Sequence, residues 1–598
     1  MDAVRFHQQG RLDKAAVLYD RILRADPRHP DALHLRGLVA DQQGDHDRAH
    51  DLIAAAIRVE DARPAFHNSL GTVLLALDRA DEAAACFRRA LELDPGYAEA
   101  HNNLGNALQQ TGRPEDAVAS YRRALQSRPG YAEAYYNQGR ALHALDDLPA
   151  AADCYRRAVD IKPDYAKALK SLGDVLGELG RTDEAAAQYR RALEVAPGDA
   201  ENYAALAALW ERSSALAQAL AKAEEALRLD PGNVRAVVVA ARCERRLGRP
   251  EDGLTRLRGF APDRLEDEAR AFLLFETAAI LDRLGDYSRA FDDYAAANRL
   301  SALSAHAQRV DREAYPRLIE RLRGRFTPDW VRSWTPAVPD ETSPVFLIGF
   351  PRSGTTLLDQ ILDAHPALHT MEEKPALDVA KKAVEKLPGG YPDALAAMTS
   401  SEVDNLRRVY FAEVARFMGG VPPGILVDKM PLNTIEGGLI HRLFPRAKIL
   451  LALRHPCDVV LSGFMQAFKS NAAMIHFANL ADTAGFYASV MGLWRRYGEV
   501  LPLDVLTTRY EDLVADFEAE TRRILAFLGL PWDDSVLAYA ERAKTRAVAT
   551  PSYHQVVQPI YARSVGRWRN YREQMADVLP LLRPFVDAFG YQTDEERD

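Results

Sequence analysis

PVFLIGFPRSGTTLLDQILDAHP (Pro344–Pro366) is the stretch on which the fold turns. Pro344–Phe350 is an apolar run of strand length, Gly349–Gly354 is a turn-forming loop, and Thr355–Ala364 has the amphipathic spacing of a helix start. Strand, tight loop and helix in that order predict an α/β domain with a parallel sheet. The spacing Gly349-x4-Gly354-Thr355-Thr356 matches a phosphate-cradling loop, with Thr355 where a nucleotide-triphosphatase loop carries lysine. Backbone N–H groups at such a helix N-terminus, aided by about half a positive charge from the helix dipole, attract an anion. Arg352, Ser353, Gly354, Thr355 and Thr356 are therefore candidate anion-binding residues.

Upstream, the sequence repeats itself. Gly37, Gly71, Gly105, Gly139 and Gly173 stand 34 residues apart, and alanines from Ala49 to Ala219 and from Ala56 to Ala226 keep the same step. Prolines from Pro95 to Pro231 close the units. Small residues let paired helices approach closely, and the proline ends the second helix of each pair. This period resembles the tetratricopeptide repeat, with Ala98–Tyr131 near consensus. The first unit reads as truncated to its second helix, and the unit after Val234 as degenerate. The aromatics of the repeats are expected to pack between repeats, and the concave surface to hold an extended peptide or partner protein. The expected organisation is an all-α solenoid over 1–304, a helical linker over 305–342 and an α/β P-loop-like domain over 343–598. The linker is expected to separate two independent cores, so that residues from about 320 onward fold alone.

The chain has 598 residues, 47% hydrophobic and 27% charged, with a formal net charge of -9 at pH 7. That balance provides no whole-chain reason to expect nucleic acid or an anionic membrane as partner. The four cysteines lack paired or metal-like spacing, and there is no apolar run of about 18 residues or signal pattern. A cytoplasmic location is expected.

The string PRSGTTLL (Pro351–Leu358) resembles the 5′-phosphosulfate loop of sulfotransferases, and DAHPALHTMEEKP (Asp363–Pro375) is similar to the tyrosylprotein sulfotransferases. The resemblance implies 3′-phosphoadenosine 5′-phosphosulfate (PAPS) as co-substrate and no catalytic metal. It also implies roles for residues further on. Arg454 and Ser462, eight residues apart in AKILLALRHPCDVVLSGFMQ, would hold the 3′-phosphate; Gln466 replaces a basic residue of that family. Lys429 in LVDKMPLN would touch the bridging and sulfuryl oxygens, and Tyr510 would lie on the adenosine side. In the tail, Ser552 would face the sulfonate and Arg567 would stand near the 3′-phosphate, within a locally basic stretch that includes Arg542, Lys544, Arg546 and Arg563.

Sulfuryl transfer, like phosphoryl transfer, relies on positioning and charge neutralisation, here by Arg352 and Lys429. The resemblance places the general base at Glu373; Glu372, His369 and His365 are its competitors. Transfer to protein tyrosine, with the solenoid recruiting the acceptor, is the favoured reading. The same chemistry on a sugar, lipid or small alcohol is a second, and a repeat scaffold with an inactive domain a third. The family's enzymes are membrane-anchored and luminal, a departure from the expectation for this chain.

Overall fold

The computed structural model describes residues 2–260, 265–335, 342–540, 542 and 564–591. The chain divides into two compact units, Met1–Leu209 and Trp210–Asp598.

The first unit is a run of antiparallel helix pairs, such as Pro64–Ala76 with Ala80–Leu93 and Ala98–Gln110 with Pro114–Ser127. The glycine register has a direct steric cause. A Cβ on Gly71 would lie 2.6 Å from the Phe87 ring, on Gly105 2.5 Å from Tyr121, and on Gly139 2.6 Å from Tyr155. Each of these aromatics thus packs on the glycine of its own pair, while Phe66 meets His34 and Tyr165 meets Tyr136 across neighbouring repeats. The turn inside each pair places one residue at positive φ, and where glycine is missing Asp78 and Asp146 take the position. The first pair has both helices, Asp2–Gln8 and Leu12–Ala25, where only the second was expected.

The second unit contains the remaining repeat helices and a five-stranded parallel sheet. Its strands are β1 (Val345–Gly349), β2 (Leu368–Glu372), β3 (Ile425–Lys429), β4 (Lys448–Leu453) and β5 (Asp504–Arg509), in the order β2-β3-β1-β4-β5. Alternate residues serve opposite faces. Val345, Leu347, Leu450 and Ala452 pack with Leu358 and Leu362 of the helix Thr355–Asp363 and with Ile524 and Leu525. Phe346, Ile348, Ile449 and Leu451 pack on the other face, in a core that includes Val490 and Leu493.

That second core runs across the expected boundaries at 304 and 342. It is continuous from Val237, Ile280 and Tyr294 through Leu322, Phe326 and Trp330 to Phe346. The expected linker forms the helices Ala314–Arg325 and Pro328–Arg332, and Phe326 occupies a slot above Gly438, where a Cβ would fall 2.0 Å from its ring. Its ring also meets Tyr497 edge-on at 4.9 Å. Asn298 Nδ2 donates to the Phe464 carbonyl at 2.8 Å, and Phe291 packs on the Phe464 ring. The last repeats are built into the sheet domain because their aromatic residues and those of 305–335 are its core.

Candidate active site

All five strands deliver a candidate residue at the C-terminal edge of the sheet: Arg352 follows β1, Glu373 follows β2, Lys429 ends β3, Arg454 follows β4 and Tyr510 follows β5. This edge is where open parallel sheets bind ligands. Among the described non-glycine residues of the sheet domain, two have positive φ, Arg352 at 74° and Glu373 at 48°. Such backbone strain concentrates at functional sites.

Lys429 is fully buried, and its Nζ lies 2.8 Å from Glu373 Oε1 and 3.3 Å from Glu372 Oε1. The placement follows from register, since Glu372 and Leu347 flank Lys429 in the parallel ladder. Burial opposes the Lys429 charge, but Glu373, Glu372 and Asp359 outweigh it and hold its pKa above the ordinary lysine value. Glu372 is nearly buried, whereas Glu373 has 38% of its side chain exposed. The pair therefore runs from the protein interior to its surface.

The histidine competitors lie elsewhere. His365 bonds the Pro531 carbonyl at 3.1 Å and accepts from the Ala367 amide. His369 pairs in register with Leu426, three residues before the Glu372 end of β2, roughly 10 Å along the strand.

The loop after β1 is tied down on both sides. Arg352 Nε donates to Ser462 Oγ at 3.1 Å, and Thr434 Oγ1 donates to the Gly349 carbonyl at 2.9 Å. The helix Thr355–Asp363 begins at Gly354, in the left-handed region, with no side chain capping its first turn. The Tyr510 ring lies against Gly354 and beneath the Arg454 guanidinium, 5.2 Å away. Thr355 and Thr356 are buried in the first helical turn. Among the described residues, Ser353 Oγ and Arg454 Nε are buried without a hydrogen-bond partner. An uncapped helix start beside one orphaned hydroxyl, and a guanidinium with an orphaned N–H, are suited to anionic groups.

Other expected members are placed differently. Arg567 pairs with Asp282 at 2.7 Å, and Arg542 with Asp363 at 3.3 Å. Gln466 Nε2 bonds the Ala467 carbonyl. Ser552, Lys544, Arg546 and Arg563 lie outside the described residues. Asp458 escaped the sequence reading: its carboxylate accepts from the amides of Gly566 and Trp568, at 2.7 and 2.9 Å. Its one sequence signal is an acid in the first turn of the helix Pro456–Phe464, which does not reveal partners more than 100 residues away.

Residues 344–534 match the sulfotransferase family, and residues 3–65, 34–98, 68–132, 102–166 and 171–234 match the tetratricopeptide repeat. Segments that match the tetratricopeptide repeat are thus followed by a segment that matches the sulfotransferase family. An uncharacterized protein of Aquifex aeolicus (strain VF5) is 29% identical over 338 residues, which is 53% of this chain and 42% of that protein. Protein-tyrosine sulfotransferase 1 of Danio rerio is 27% identical over 276 residues, 42% of this chain and 73% of that protein. Protein-tyrosine sulfotransferase 2 of Gallus gallus is 28% identical over 267 residues, 40% of this chain and 67% of that protein.

Proposed function

We propose that the protein transfers a sulfuryl group from PAPS to the hydroxyl of protein tyrosine, with the repeats recruiting the acceptor. The observation that carries this reading is the Glu373–Lys429 pair beside the Arg352 loop. The co-substrate supplies the sulfuryl group and a phosphate oxygen as leaving atom. Glu373, at the exposed end of the pair, takes the proton of the acceptor hydroxyl as its oxygen bonds to sulfur. Lys429 and Arg352 neutralise the charge gathering on the sulfuryl and departing oxygens as the old S–O bond breaks. Arg454, with the buried face of its guanidinium, and Ser462 hold the 3′-phosphate. The similarity to protein-tyrosine sulfotransferases supports tyrosine as acceptor.

Incubation of the full chain with sulfur-labelled PAPS and a cell lysate tests the proposal. Label recovered on tyrosine of protein is the expected result. Label confined to glycan or lipid would replace the acceptor, and none in any fraction would remove the reaction.

A further inference from the structure

The segment that starts at Ser564 is held between two carboxylates on opposite sides. Its first carbonyl, of Ser564, accepts from Arg454 Nη2 at 2.5 Å. The amides of Gly566 and Trp568 face Asp458, which is 1% exposed, and the Trp568 ring stacks on His455 with centroids 5.3 Å apart. Arg567, between them in sequence, pairs with Asp282. Its Nη2 and Nε lie 2.7 and 3.2 Å from Asp282 Oδ1, and the same oxygen accepts from Tyr571 OH at 2.7 Å. Asp282 belongs to the helix Asp267–Leu284, the first of the last repeat. The next helix of that repeat adds Tyr287, packed edge-on against the Tyr571 ring at 5.3 Å.

The pair is well shielded, with 27% of the Arg567 side chain and 19% of the Asp282 side chain exposed. Burial opposes the Arg567 charge, yet Asp282 holds its pKa above the ordinary arginine value. Removing one partner of such a pair leaves the other charge poorly solvated, so the segment cannot keep its place at no cost. A chain of direct contacts then runs from the repeat to the nucleotide site: Asp282 to Arg567 and Tyr571, along the backbone to Ser564, and from its carbonyl to Arg454. Arg567, expected beside the 3′-phosphate, is engaged as the anchor of this chain.

We propose that Asp282, a residue of the repeats, is a positioning residue for the 3′-phosphate end of the nucleotide site, acting by fixing segment 564–571 and with it the guanidinium of Arg454. The inference rests on the proposed function, since it needs a nucleotide that carries a 3′-phosphate. It makes the last repeat part of the apparatus that selects the nucleotide, in addition to any role in recruiting an acceptor.

Calorimetry on the full chain with adenosine 3′,5′-bisphosphate and with adenosine 5′-monophosphate separates the possibilities. The wild type should prefer the bisphosphate. Asp282→Ala should weaken the bisphosphate about tenfold, the scale of one displaced charge-assisted hydrogen bond, and leave the monophosphate within about twofold. Asp282→Glu should recover part of the loss, and Tyr571→Phe should show a smaller loss of the same selectivity. A merely structural role would lower both affinities together, and that result overturns the inference. So does an undiminished preference in Asp282→Ala. If that variant does not fold, Asp282→Asn and Tyr571→Phe are judged by the same ratio. A wild type without preference overturns the proposed function and the inference with it, whereas a preference that survives Asp282→Ala overturns the inference alone.

Discussion

Glu373 and Lys429 grip each other twice: the Lys429 ammonium lies 2.8 Å from Glu373 Oε1, and the Glu373 amide donates to the Lys429 carbonyl, also at 2.8 Å. The backbone bond extends the β2–β3 ladder by one residue past Glu372. The side-chain bond then turns Glu373 over the end of β3, in the positive-φ conformation already noted. A residue held at both its backbone and its side chain has few orientations left, which favours a proton acceptor that must meet one hydroxyl.

Glu373→Gln should lower the turnover rate on the order of 10²-fold or more, the usual scale of general base catalysis, with little change in affinity for adenosine 3′,5′-bisphosphate. His369→Ala, at the far end of β2, should be mild. Steady-state rates with matched calorimetry check this. Loss of turnover in His369→Ala with near-normal Glu373→Gln would move the base to the histidine.

Arg454→Ala should cost about ten- to a hundredfold in affinity for adenosine 3′,5′-bisphosphate, the range for hydrogen bonds to a charged group. Affinity for adenosine 5′-monophosphate should barely change. Equal losses on the two nucleotides would show that Arg454 supports the Ser564 and Tyr510 contacts rather than a 3′-phosphate.

Asp428, fully buried in β3 with Tyr410 OH 2.9 Å from its Oδ2, has its pKa pushed up by burial to about 7, the tyrosine bond opposing the rise. The folded state therefore holds a proton that the unfolded chain, at an ordinary aspartate value, has already released. Stability should fall as pH rises from about 4 to about 7 and then level off. Asp428→Asn should flatten this slope and raise the melting temperature at pH 8. Thermal melts of both proteins across that range decide it; identical slopes would refute the assignment.

A chain beginning at Trp210 should fold and bind nucleotide, and one beginning near residue 320 should not. The shorter piece lacks Ile280, Phe291 and Tyr294 from the shared core, each a side chain whose burial contributes roughly 1.5–3 kcal/mol. Domains are stable by only about 5–15 kcal/mol in total. Solubility and melting of the two fragments provide the readout, and a well-folded 320–598 would overturn the shared core.

Gly105→Ala should destabilise the repeats by about 1–3 kcal/mol, because the new methyl would press into the buried Tyr121 ring. Gly130→Ala, with nothing within 4 Å of the added carbon, should be near neutral in the same denaturation series.

Local chemistry was legible in the sequence and distant pairing was not. The glycine step of 34 residues and the strand–loop–helix at Val345–Asp363 are carried by local period and composition, which reveal them, whereas the pairing of Arg454 with Ser462 was implied only by the resemblance to a known family. The contact of Asp282 with Arg567 joins residues 285 apart, and that of Asp458 with Gly566 residues 108 apart. Nothing in either local stretch signals the other. Residues 305–335 misled for a related reason: a polar helix followed by proline, serine and threonine has the composition of a linker. Its Phe326 reaches the core through the slot that Gly438 leaves, and Trp330 packs edge-on against that ring.

That slot sets an order of events on the ribosome. Phe326 and Trp330 emerge more than a hundred residues before Gly438 and about 170 before Tyr497, which at about 5–20 residues per second is an interval of many seconds. Over that interval the aromatic pair has Trp334 beside it but lacks Gly438 and Tyr497. The repeats already made end in helices whose shared core is still incomplete. Completion of the last repeats and closure of the sheet thus arrive as one late step, and the newborn chain carries its unfinished aromatic face until the helix that contains Tyr497 has been synthesised.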